Sequence, residues 1–238
     1  MCGRYATSRN AADLASLFEA QDDTDGALAP DYNVAPTDPV PVVRISGRLG
    51  GPAVSVARWG LVPPWATDAR VGARMINARS ETIVTSSAYA VPFARRRCLI
   101  PADGWYEWVR DTGGRGKRPY FMTFPDGAPV VFAGIWSVWG DRRLTCCIVT
   151  APAIGDLAAV HDRMPLVLPA DRWSAWLTAP AGDDLLAPTP ESLVAELEIR
   201  PVGAAVGNVR NDGPQLVARV AAPPPGAIDD DPIDLRLF

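Results

Sequence analysis

The fold of this chain is indicated most directly by residues 97–108, which read Arg97-Cys98-Leu99-Ile100-Pro101-Ala102-Asp103-Gly104-Trp105-Tyr106-Glu107-Trp108. Apolar and aromatic residues form two β-like runs here, at 97–100 and 104–110, with turn residues between them. Three more runs of the same kind follow at 120–124, 130–137 and 144–150. Residues 97–150 therefore predict a series of strands joined by short turns.

Similar patterns extend toward both ends of the chain. Two further strands are predicted upstream, at 40–45 and 54–59, and one downstream at 166–168. Helices are predicted at 8–20, 169–177 and 189–197, the last capped by Thr189, and one or two more within 78–95. No repeat or linker divides residues 2–221, so they predict one α+β domain rich in β-structure. The Pro- and Asp-rich residues 222–238 predict a surface tail.

The composition is typical of a folded protein and disfavours several other classes. Hydrophobic residues make up 48% of the 238 residues. No apolar run reaches the roughly 18 residues that a membrane span needs, and the start of the chain lacks a secretory pattern. The four cysteines show no paired spacing, which is typical of a reducing compartment. We expect a cytoplasmic protein that has no membrane partner.

Charge is distributed unevenly although the net charge is only −4. Residues 44–118 carry 13 Arg or Lys against 5 Asp or Glu, whereas residues 121–238 carry 8 against 15. This asymmetry predicts one basic face that binds a polyanion. The alternative is that these basic side chains only solvate a surface.

Cys2 is the first candidate for chemistry. Cytosolic processing removes an initiator Met ahead of a small residue, so we expect Cys2 to become the mature N-terminus. Its α-amine would have a pKa of roughly 7.7–8.0 and its thiol one of about 8.5, so both are nucleophiles near neutral pH. A 1,2-aminothiol can trap an aldehyde as a Schiff base and close it to a thiazolidine. The alternative is a cysteine that merely follows the start codon.

Glu107 is an acid surrounded by aromatic residues. In a strand, Trp105 and Glu107 share one face, and Tyr106 and Trp108 share the other. Loss of solvation beside large rings raises a carboxyl pKa and suits it to proton transfer. An edge-strand Glu at the rim of an aromatic core is an equally good interpretation of the residues alone.

Asn77 and His161 also have two interpretations each. Asn77 either caps a helix or offers its amide to a reacting group, and the nearby Arg79 either binds phosphate or pairs with Glu81. His161 is the only histidine, so it is either structural or the sole imidazole catalyst. A single His without paired Cys disfavours a zinc site, and no nucleotide-binding fingerprint occurs. We expect no metal and no cofactor.

Two tryptophans flank a stiff segment, Trp59-Gly60-Leu61-Val62-Pro63-Pro64-Trp65. Adjacent prolines remove backbone donors and fix φ, which excludes an ordinary helix or a central strand. The segment therefore predicts a loop that presents both aromatic rings.

Six ordered motifs together resemble the SOS response-associated peptidase (SRAP) family. They are Met1-Cys2-Gly3-Arg4, Asn33-Val34-Ala35-Pro36-Thr37, residues 59–65, Asn77-Ala78-Arg79-Ser80-Glu81-Thr82, residues 97–108, and His161-Asp162-Arg163-Met164-Pro165. The resemblance covers roughly residues 2–216. It implies a single domain whose twisted antiparallel sheets form a barrel-like core with short peripheral helices. It also implies a DNA-repair protein that recognises abasic sites in single-stranded DNA and bonds to them covalently through the mature N-terminal Cys.

The resemblance also implies roles for residues at the matching positions. The catalytic set is Cys2 as nucleophile with its partners Asn77, Glu107 and His161. The implied DNA contacts are Arg4, Asn33, Pro36, Trp59, Trp65, Arg79 and Arg163, of which the arginines suit phosphates and the tryptophans suit bases.

Two segments depart from the family pattern. Residues 150–154 read Thr-Ala-Pro-Ala-Ile where the family commonly has a polar Thr-Thr-Glu-Ala-Asn-like run. Val206-Gly207 replaces the common Val-Asn. We expect these departures to affect the surrounding loops and the detail of DNA contacts, and to leave every catalytic position intact.

We expect crosslinking to abasic single strands, with associated lyase activity and loss of Met1. The expected partners are damaged single-stranded DNA and replication-fork proteins, with the protein acting as a monomer that joins the nucleoid during DNA damage. The alternatives are an N-terminal Cys amidohydrolase, a thiol peptidase acting in trans with Cys2 and His161, and a single-strand binding module in which Cys2 is incidental.

Overall fold

The computed structural model describes residues 2–110 and 116–221. The predicted tail at 222–238 lies outside the described residues, so its boundary with the domain stays a prediction. Within the described part, the chain forms thirteen strands, four short α-helices and five 3₁₀ turns.

The strands alternate with turns along most of the chain. They are β1 Tyr5–Thr7, β2 Gln21–Asp23, β3 Asp31–Val34, β4 Pro39–Ser46, β5 Gly51–Trp59, β6 Asn77–Arg79, β7 Arg97–Ala102, β8 Gly104–Arg110, β9 Lys117–Thr123, β10 Val130–Trp139, β11 Arg143–Pro152, β12 Arg163–Pro165 and β13 Glu198–Pro201.

The helices are short. They are α1 Ala11–Leu17, α2 Ala90–Arg95, α3 Ala170–Thr178 and α4 Glu191–Ala195, and the 3₁₀ helices are Ala69–Arg74, Gly155–Ala159, Asp183–Leu186, Ala204–Gly207 and Pro214–Val217. In the part of the chain that the structure describes, none of the helices has the length and apolar character to cross a bilayer.

Five strands close into a barrel. Antiparallel pairs join β5 to β4, β4 to β7, β7 to β10 and β10 to β11. The ring is completed by a parallel pairing of β11 with β5, in which Thr145 lies opposite Arg58 and Cys146 opposite Trp59. Closure satisfies backbone groups that would otherwise form free edges. The predicted barrel-like core with peripheral helices is confirmed.

A second, antiparallel sheet has the strand order β13-β9-β8-β1-β3. One core cluster joins it to the barrel, because Tyr5 and Trp105 of this sheet pack with Trp59, Ile100 and other side chains of the barrel strands. The opposite face of the barrel strands forms a second cluster under α1, α2 and α3. Alternate side chains of each strand thus face one or the other cluster, as the two-residue period of a strand requires.

Arg97 attaches helix α3 to the barrel. Its guanidinium is buried and donates to the carbonyl oxygens of Trp176 and Ala179 at the end of α3, and to that of Phe93 in α2. Because these carbonyls lie at helix ends, they lack partners within the helix, and the arginine satisfies them.

Three local predictions are corrected by the structure. Residues 77–79 form β6 and only 90–95 are helical, because Ala78 is buried where β6 pairs with Val149 of β11. Thr189 does not cap α4, since its hydroxyl bonds the backbone of Val167 instead. The strand predicted at 166–168 is β12 at Arg163–Pro165, and Val167 makes only a bridge to Phe132.

Gly104 offers a direct test of the packing between β8 and β9. A methyl group at this position would overlap the backbone oxygen of Met122 and lie 2.6 Å from Cζ of Phe121. We expect Gly104→Ala to lower the free energy of unfolding by about 3 kcal/mol, measured by chemical denaturation. The matched control is Gly47→Ala, since a methyl group there meets nothing within 4 Å. Equal stabilities of the two variants would contradict this packing.

Candidate active site

Strand β11 brings three of the predicted site residues to one end of the barrel. On one side it pairs with β6 in parallel, with Asn77 opposite Ile148 and Arg79 opposite Thr150. On the other side it pairs with β12, with Arg163 opposite Pro152. Asn77, Arg79 and Arg163 are therefore placed by the ladder of a single strand, although more than 80 residues separate the first from the last.

Cys2 lies against this assembly from the second sheet. It is fully buried, and its backbone oxygen accepts a 2.8 Å hydrogen bond from Nδ2 of Asn77. The helix-capping interpretation of Asn77 is wrong, because the residue sits in β6 and its amide reaches Cys2. Burial, followed by the nearby charge of Glu107, raises the pKa of the Cys2 thiol well above its usual value.

Asn77 also presents an unsatisfied acceptor. Its Oδ1 is buried and has no hydrogen-bond partner among the described residues. Buried polar atoms in native structures almost always have partners, so such an exception points to a group that arrives later. The main-chain oxygen of Asn77 is meanwhile 3.3 Å from the hydroxyl of Tyr89, which donates to it.

Glu107 is the acid near the Cys2 thiol. Strand alternation holds as predicted: Trp105 packs in the cluster that contains Cys2, whereas Tyr106 and Trp108 pack on the opposite face of the sheet. Glu107 is itself only 5% exposed. The pKa of its carboxyl is raised to about 7, mainly by burial, with a smaller contribution in the same direction from the charge of Asp162. Near neutral pH, this carboxyl can therefore both give and accept a proton.

His161 follows the 3₁₀ helix Gly155–Ala159. Its Nδ1 accepts a 2.9 Å hydrogen bond from the backbone N–H of Arg163 and lies 2.6 Å from Oδ1 of Asp162. The two contacts oppose each other, because the amide requires a bare Nδ1 and the carboxylate favours a proton there. Burial lowers the His161 pKa and outweighs Asp162, which raises it. We therefore assign a neutral ring whose proton is on Nε2.

Asp162 influences both His161 and Glu107 electrostatically. Its carboxylate raises the pKa of both groups, so it lies within electrostatic range of each. Its side chain is 84% exposed, which leaves the carboxylate solvated. The sequence patterns did not single out this residue.

Arg163 is held by two neighbours. Its guanidinium makes a forked ion pair with the carboxylate of Glu81 and donates to the carbonyl oxygen of Thr150 at 2.7 Å and to its hydroxyl at 3.2 Å. Arg163 holds the pKa of Glu81 down at about 2. The suggestion that Glu81 pairs with Arg79 is wrong, and Arg79 is exposed.

Arg4 and Asn33 are not on the surface. Arg4 is 5% exposed and Asn33 is 3% exposed. A guanidinium nitrogen of Arg4 donates to Oδ1 of Asn33 and, at 2.9 Å, to the carbonyl oxygen of Val206. Protein groups thus bond both side chains in this structure, and the DNA contacts predicted for them stay a prediction.

The two tryptophans of the predicted loop differ completely. Trp59 ends β5 and is fully buried, with Nε1 donating to the oxygen of Ile76 at 3.0 Å and its ring edge-on to Tyr5. The prediction that Trp59 is presented to bases is wrong, because the pairing of β5 with β11 that closes the barrel places Trp59 in the core. Trp65 is 67% exposed, as predicted. Pro36 is half-buried, beside a backbone bond from Thr37 to Trp59.

Sequence patterns alone did not indicate the supporting residues Thr150, Tyr89 and Val206. Thr150 had a weak signal, since it ends an apolar run with a polar side chain. Val206 acts through its carbonyl oxygen, so this bond to Arg4 does not require a side chain at position 207. Ile154, the other departure, packs against the core.

Among the described residues, no cluster of three or more His, Cys, Asp or Glu side chains could hold a metal ion. The arrangement instead offers a cysteine beside a carboxyl whose pKa is near 7, an amide with an open acceptor, and a neutral imidazole. Such groups suit nucleophilic attack on a carbonyl with transfer of protons.

Relatives with known names match most of the chain. It is 33% identical over 230 residues to abasic site processing protein YedK from Escherichia coli, covering 92% of this chain and all of that protein. It is 37% identical over 185 residues to abasic site processing protein YoaM from Bacillus subtilis, covering 74% and 79% of the two chains. It is 29% identical to abasic site processing protein HMCES from chicken, covering 92% and 78%.

Solved structures have the same fold. A crystal structure of a protein from Bacteroides thetaiotaomicron superposes with a TM-score of 0.78 over 92% of this chain and all of that chain, at 22% identity. One from Bordetella bronchiseptica superposes with a TM-score of 0.67 over 85% of this chain and all of that chain, at 26% identity. The model of the SOS response associated peptidase (SRAP) family matches residues 1–209, and the chain therefore belongs to this family.

Proposed function

We propose that this protein processes abasic sites in DNA as part of DNA repair, and that it does so by bonding covalently to the lesion through Cys2. The observation that carries the proposal is the contact of Asn77 with the Cys2 backbone, beside Glu107 with a carboxyl pKa near 7. The names of the relatives, all abasic site processing proteins, support the processing of abasic sites.

The chemistry begins when removal of Met1 frees the α-amine of Cys2. An abasic deoxyribose opens from its hemiacetal to an aldehyde, and the amine adds to the aldehyde carbon to give a carbinolamine. Loss of one water gives the Schiff base. The thiol then adds to the same carbon, its proton passes to nitrogen, and a thiazolidine forms. Overall, one water is released and no oxidant is needed.

The site residues take separate parts in this sequence. Glu107 in its protonated form gives a proton to the departing hydroxyl of the carbinolamine. The open Oδ1 of Asn77 accepts a hydrogen bond from the amine or from a sugar hydroxyl. Neutral His161 donates through Nε2 to the ring oxygen as the sugar opens.

Lyase activity is a side reaction of the same intermediate. The Schiff base acidifies the C2′ proton of the sugar, and its loss leads to β-elimination of the 3′ phosphate. Closure by sulfur removes the iminium carbon from conjugation and suppresses this strand cleavage. Covalent capture then shields the lesion.

DNA binding would use the exposed residues near the site. Arg79 is free to meet a phosphate, and a phosphate could replace Glu81 on Arg163. Trp65 offers an open face on which a base can stack, with Pro36 as a second apolar contact. Such contacts track a backbone without reading sequence. The proposed partner is single-stranded DNA, met by a monomer in the cytoplasm at the nucleoid, with replication-fork proteins as further partners.

Three alternative functions predict different experimental results. An amidohydrolase would release ammonia from glutamine without DNA. A thiol peptidase acting in trans would cleave peptides other than at its own Met1. A non-covalent binding module would hold single strands equally well with or without a free Cys2 amine. The buried acid and thiol favour covalent chemistry over the third.

Cys2→Ala tests the proposal directly. We expect the wild-type protein to form a heat-stable adduct with a single-stranded oligonucleotide carrying one abasic site, read on a denaturing gel. The variant should form no stable adduct, because the imine that its amine gives cannot close to a ring. A protein with one extra residue ahead of Cys2 is the matched control, and it should bind DNA without any capture. Stable crosslinks from Cys2→Ala would refute the thiazolidine.

Glu107 should set the pH dependence of capture. The amine must lose its proton and the acid must keep one, so the single-turnover rate of the wild type should pass through a maximum near pH 7 to 7.5 and fall above it. Glu107→Gln should be at least tenfold slower near pH 7 and should lose the descending limb. A wild-type rate that rises steadily to pH 9 would contradict this role.

The stability of the same variant checks the pKa. Since the folded-state pKa of Glu107 is raised from 4.5 to about 7, the folded protein binds more protons than the unfolded chain between these values. The free energy of unfolding should therefore fall as pH rises through this window. Glu107→Gln should remove the fall and gain up to about 3 kcal/mol at pH 8.

Trp65 and Trp59 form a matched pair. Trp65→Ala should weaken non-covalent binding of single strands roughly tenfold, because stacking on one base is lost, and should leave thermal stability unchanged. Trp59→Ala should instead cost about 3–5 kcal/mol of folding free energy. Fluorescence anisotropy and thermal denaturation measure the two effects. Unchanged affinity of Trp65→Ala would remove this residue from the DNA surface.

A further inference from the structure

The segment that carries Cys2 is poorly fixed by the sheet itself. Strand β1 begins only at Tyr5, and the pairings with β8 are Tyr5 with Trp105 and Ala6 with Gly104. Cys2 and Tyr5 both belong to the cluster between the barrel and the second sheet. A regular strand would put residues three apart on opposite faces, so the chain departs from strand geometry between them. Ladder hydrogen bonds of β1 therefore do not determine where Cys2 lies.

Two attachments flank Cys2 instead. On one side, the amide of Asn77 bonds the Cys2 oxygen. On the other, the Arg4 oxygen accepts a 2.9 Å bond from the backbone N–H of Tyr106, the residue before Glu107. The Arg4 backbone is thus held beside Glu107, the proposed acid. The Arg4 side chain makes further contacts.

The Arg4 side chain connects the N-terminal segment to residues that are distant in sequence. It donates to Asn33 of β3 and to the carbonyl oxygen of Val206. Asn33 is engaged in turn, because its Nδ2 donates to the oxygens of Asn208 and Asn211 at 3.0 and 2.8 Å. Residues 203–211 are thereby attached to β3 and to the start of β1 through two buried polar side chains.

A buried guanidinium is costly unless it is paired. Burial lowers the pKa of Arg4, and the charges of Asp38 and Asp31 act against that shift. Arg4 is 5% exposed, and its Nη2 donates to both protein acceptors, whereas its buried Nε has no hydrogen-bond partner among the described residues. Arg79, by contrast, is exposed in the same region. The two arginines are therefore suited to different tasks.

We propose that Arg4 is a positioning residue for the covalent reaction and not a phosphate ligand: with Asn33 and the Val206 carbonyl, it holds the Cys2 segment in register with Glu107. The inference rests on the proposed function, since it concerns the placement of the nucleophile. It reassigns Arg4 and Asn33 from the DNA surface to the support of the site.

The test separates capture from binding. Binding is measured with single-stranded DNA that contains a tetrahydrofuran site, which has no aldehyde and cannot react, over a range of salt concentrations. Capture is measured as the single-turnover rate on a true abasic strand against protein concentration. Arg4→Met should lower the maximal rate at least tenfold, while the affinity for the tetrahydrofuran strand and its salt dependence stay at wild-type values.

Arg79→Met is the contrasting variant. As a phosphate contact, it should raise the half-saturating concentration and reduce the slope of log affinity against log salt by about 0.7. If Arg4→Met behaves in this way instead, Arg4 is a phosphate ligand and the proposal fails. If Arg4→Met reacts and binds like the wild type, the proposal fails as well.

Arg4→Lys keeps the test decisive if Arg4→Met does not fold. Lysine retains the charge that a phosphate needs, but it lacks the planar guanidinium that places Nη2 against both acceptors. The proposal predicts a reduced maximal rate with wild-type affinity for this variant, whose fold is checked by circular dichroism. A wild-type rate overturns it. Absence of crosslinking by the wild-type protein would overturn the proposed function instead. The wild type runs in its own lane of the denaturing gel, so the two failures are distinguished.

Discussion

Strand β11 takes two parallel partners on the same edge, and the rest of the molecule depends on that arrangement. Its first half pairs with β5 and closes the barrel. Its second half pairs with β6 and so carries Asn77 to the end of the barrel. The pairing that positions Asn77 therefore continues along β11 directly after the pairing that closes the core. A separate loop would have left Asn77 mobile.

Burial has a different effect on each charged group in this end of the molecule. Glu107 has lost solvent, and its carboxyl pKa rises to about 7 in response. Arg4 donates through Nη2 to the side-chain oxygen of Asn33 and to the carbonyl oxygen of Val206. Arg163 is paired with an anion that is itself partly exposed. One environment thus contains a carboxyl with a raised pKa, a hydrogen-bonded buried arginine and a partly exposed ion pair, because each group differs in what it can pair with.

The overall distribution of charge and the local exposure of each arginine act at different distances. Under the proposed function, the excess of arginine in residues 44–118 would concentrate a polyanion near the protein, and the buried groups would act only after contact. Under that function, local exposure would decide which arginines take part in each step. Arg79 is open to solvent while Arg4 is enclosed, although sequence motifs contain both.

The sequence by itself determined the β-rich class, helices α1 and α3, the alternation that puts Trp105 and Glu107 on one face, and the motifs that resemble the SRAP family. These follow from local periodicity and residue chemistry. Only the tertiary structure decided that Asn77 lies in a strand, that Trp59 is buried while Trp65 is exposed, and that Arg4 and Asn33 face protein oxygens. Their partners lie as many as 202 residues away, and no local pattern records which distant backbone oxygens will meet a side chain once the barrel closes.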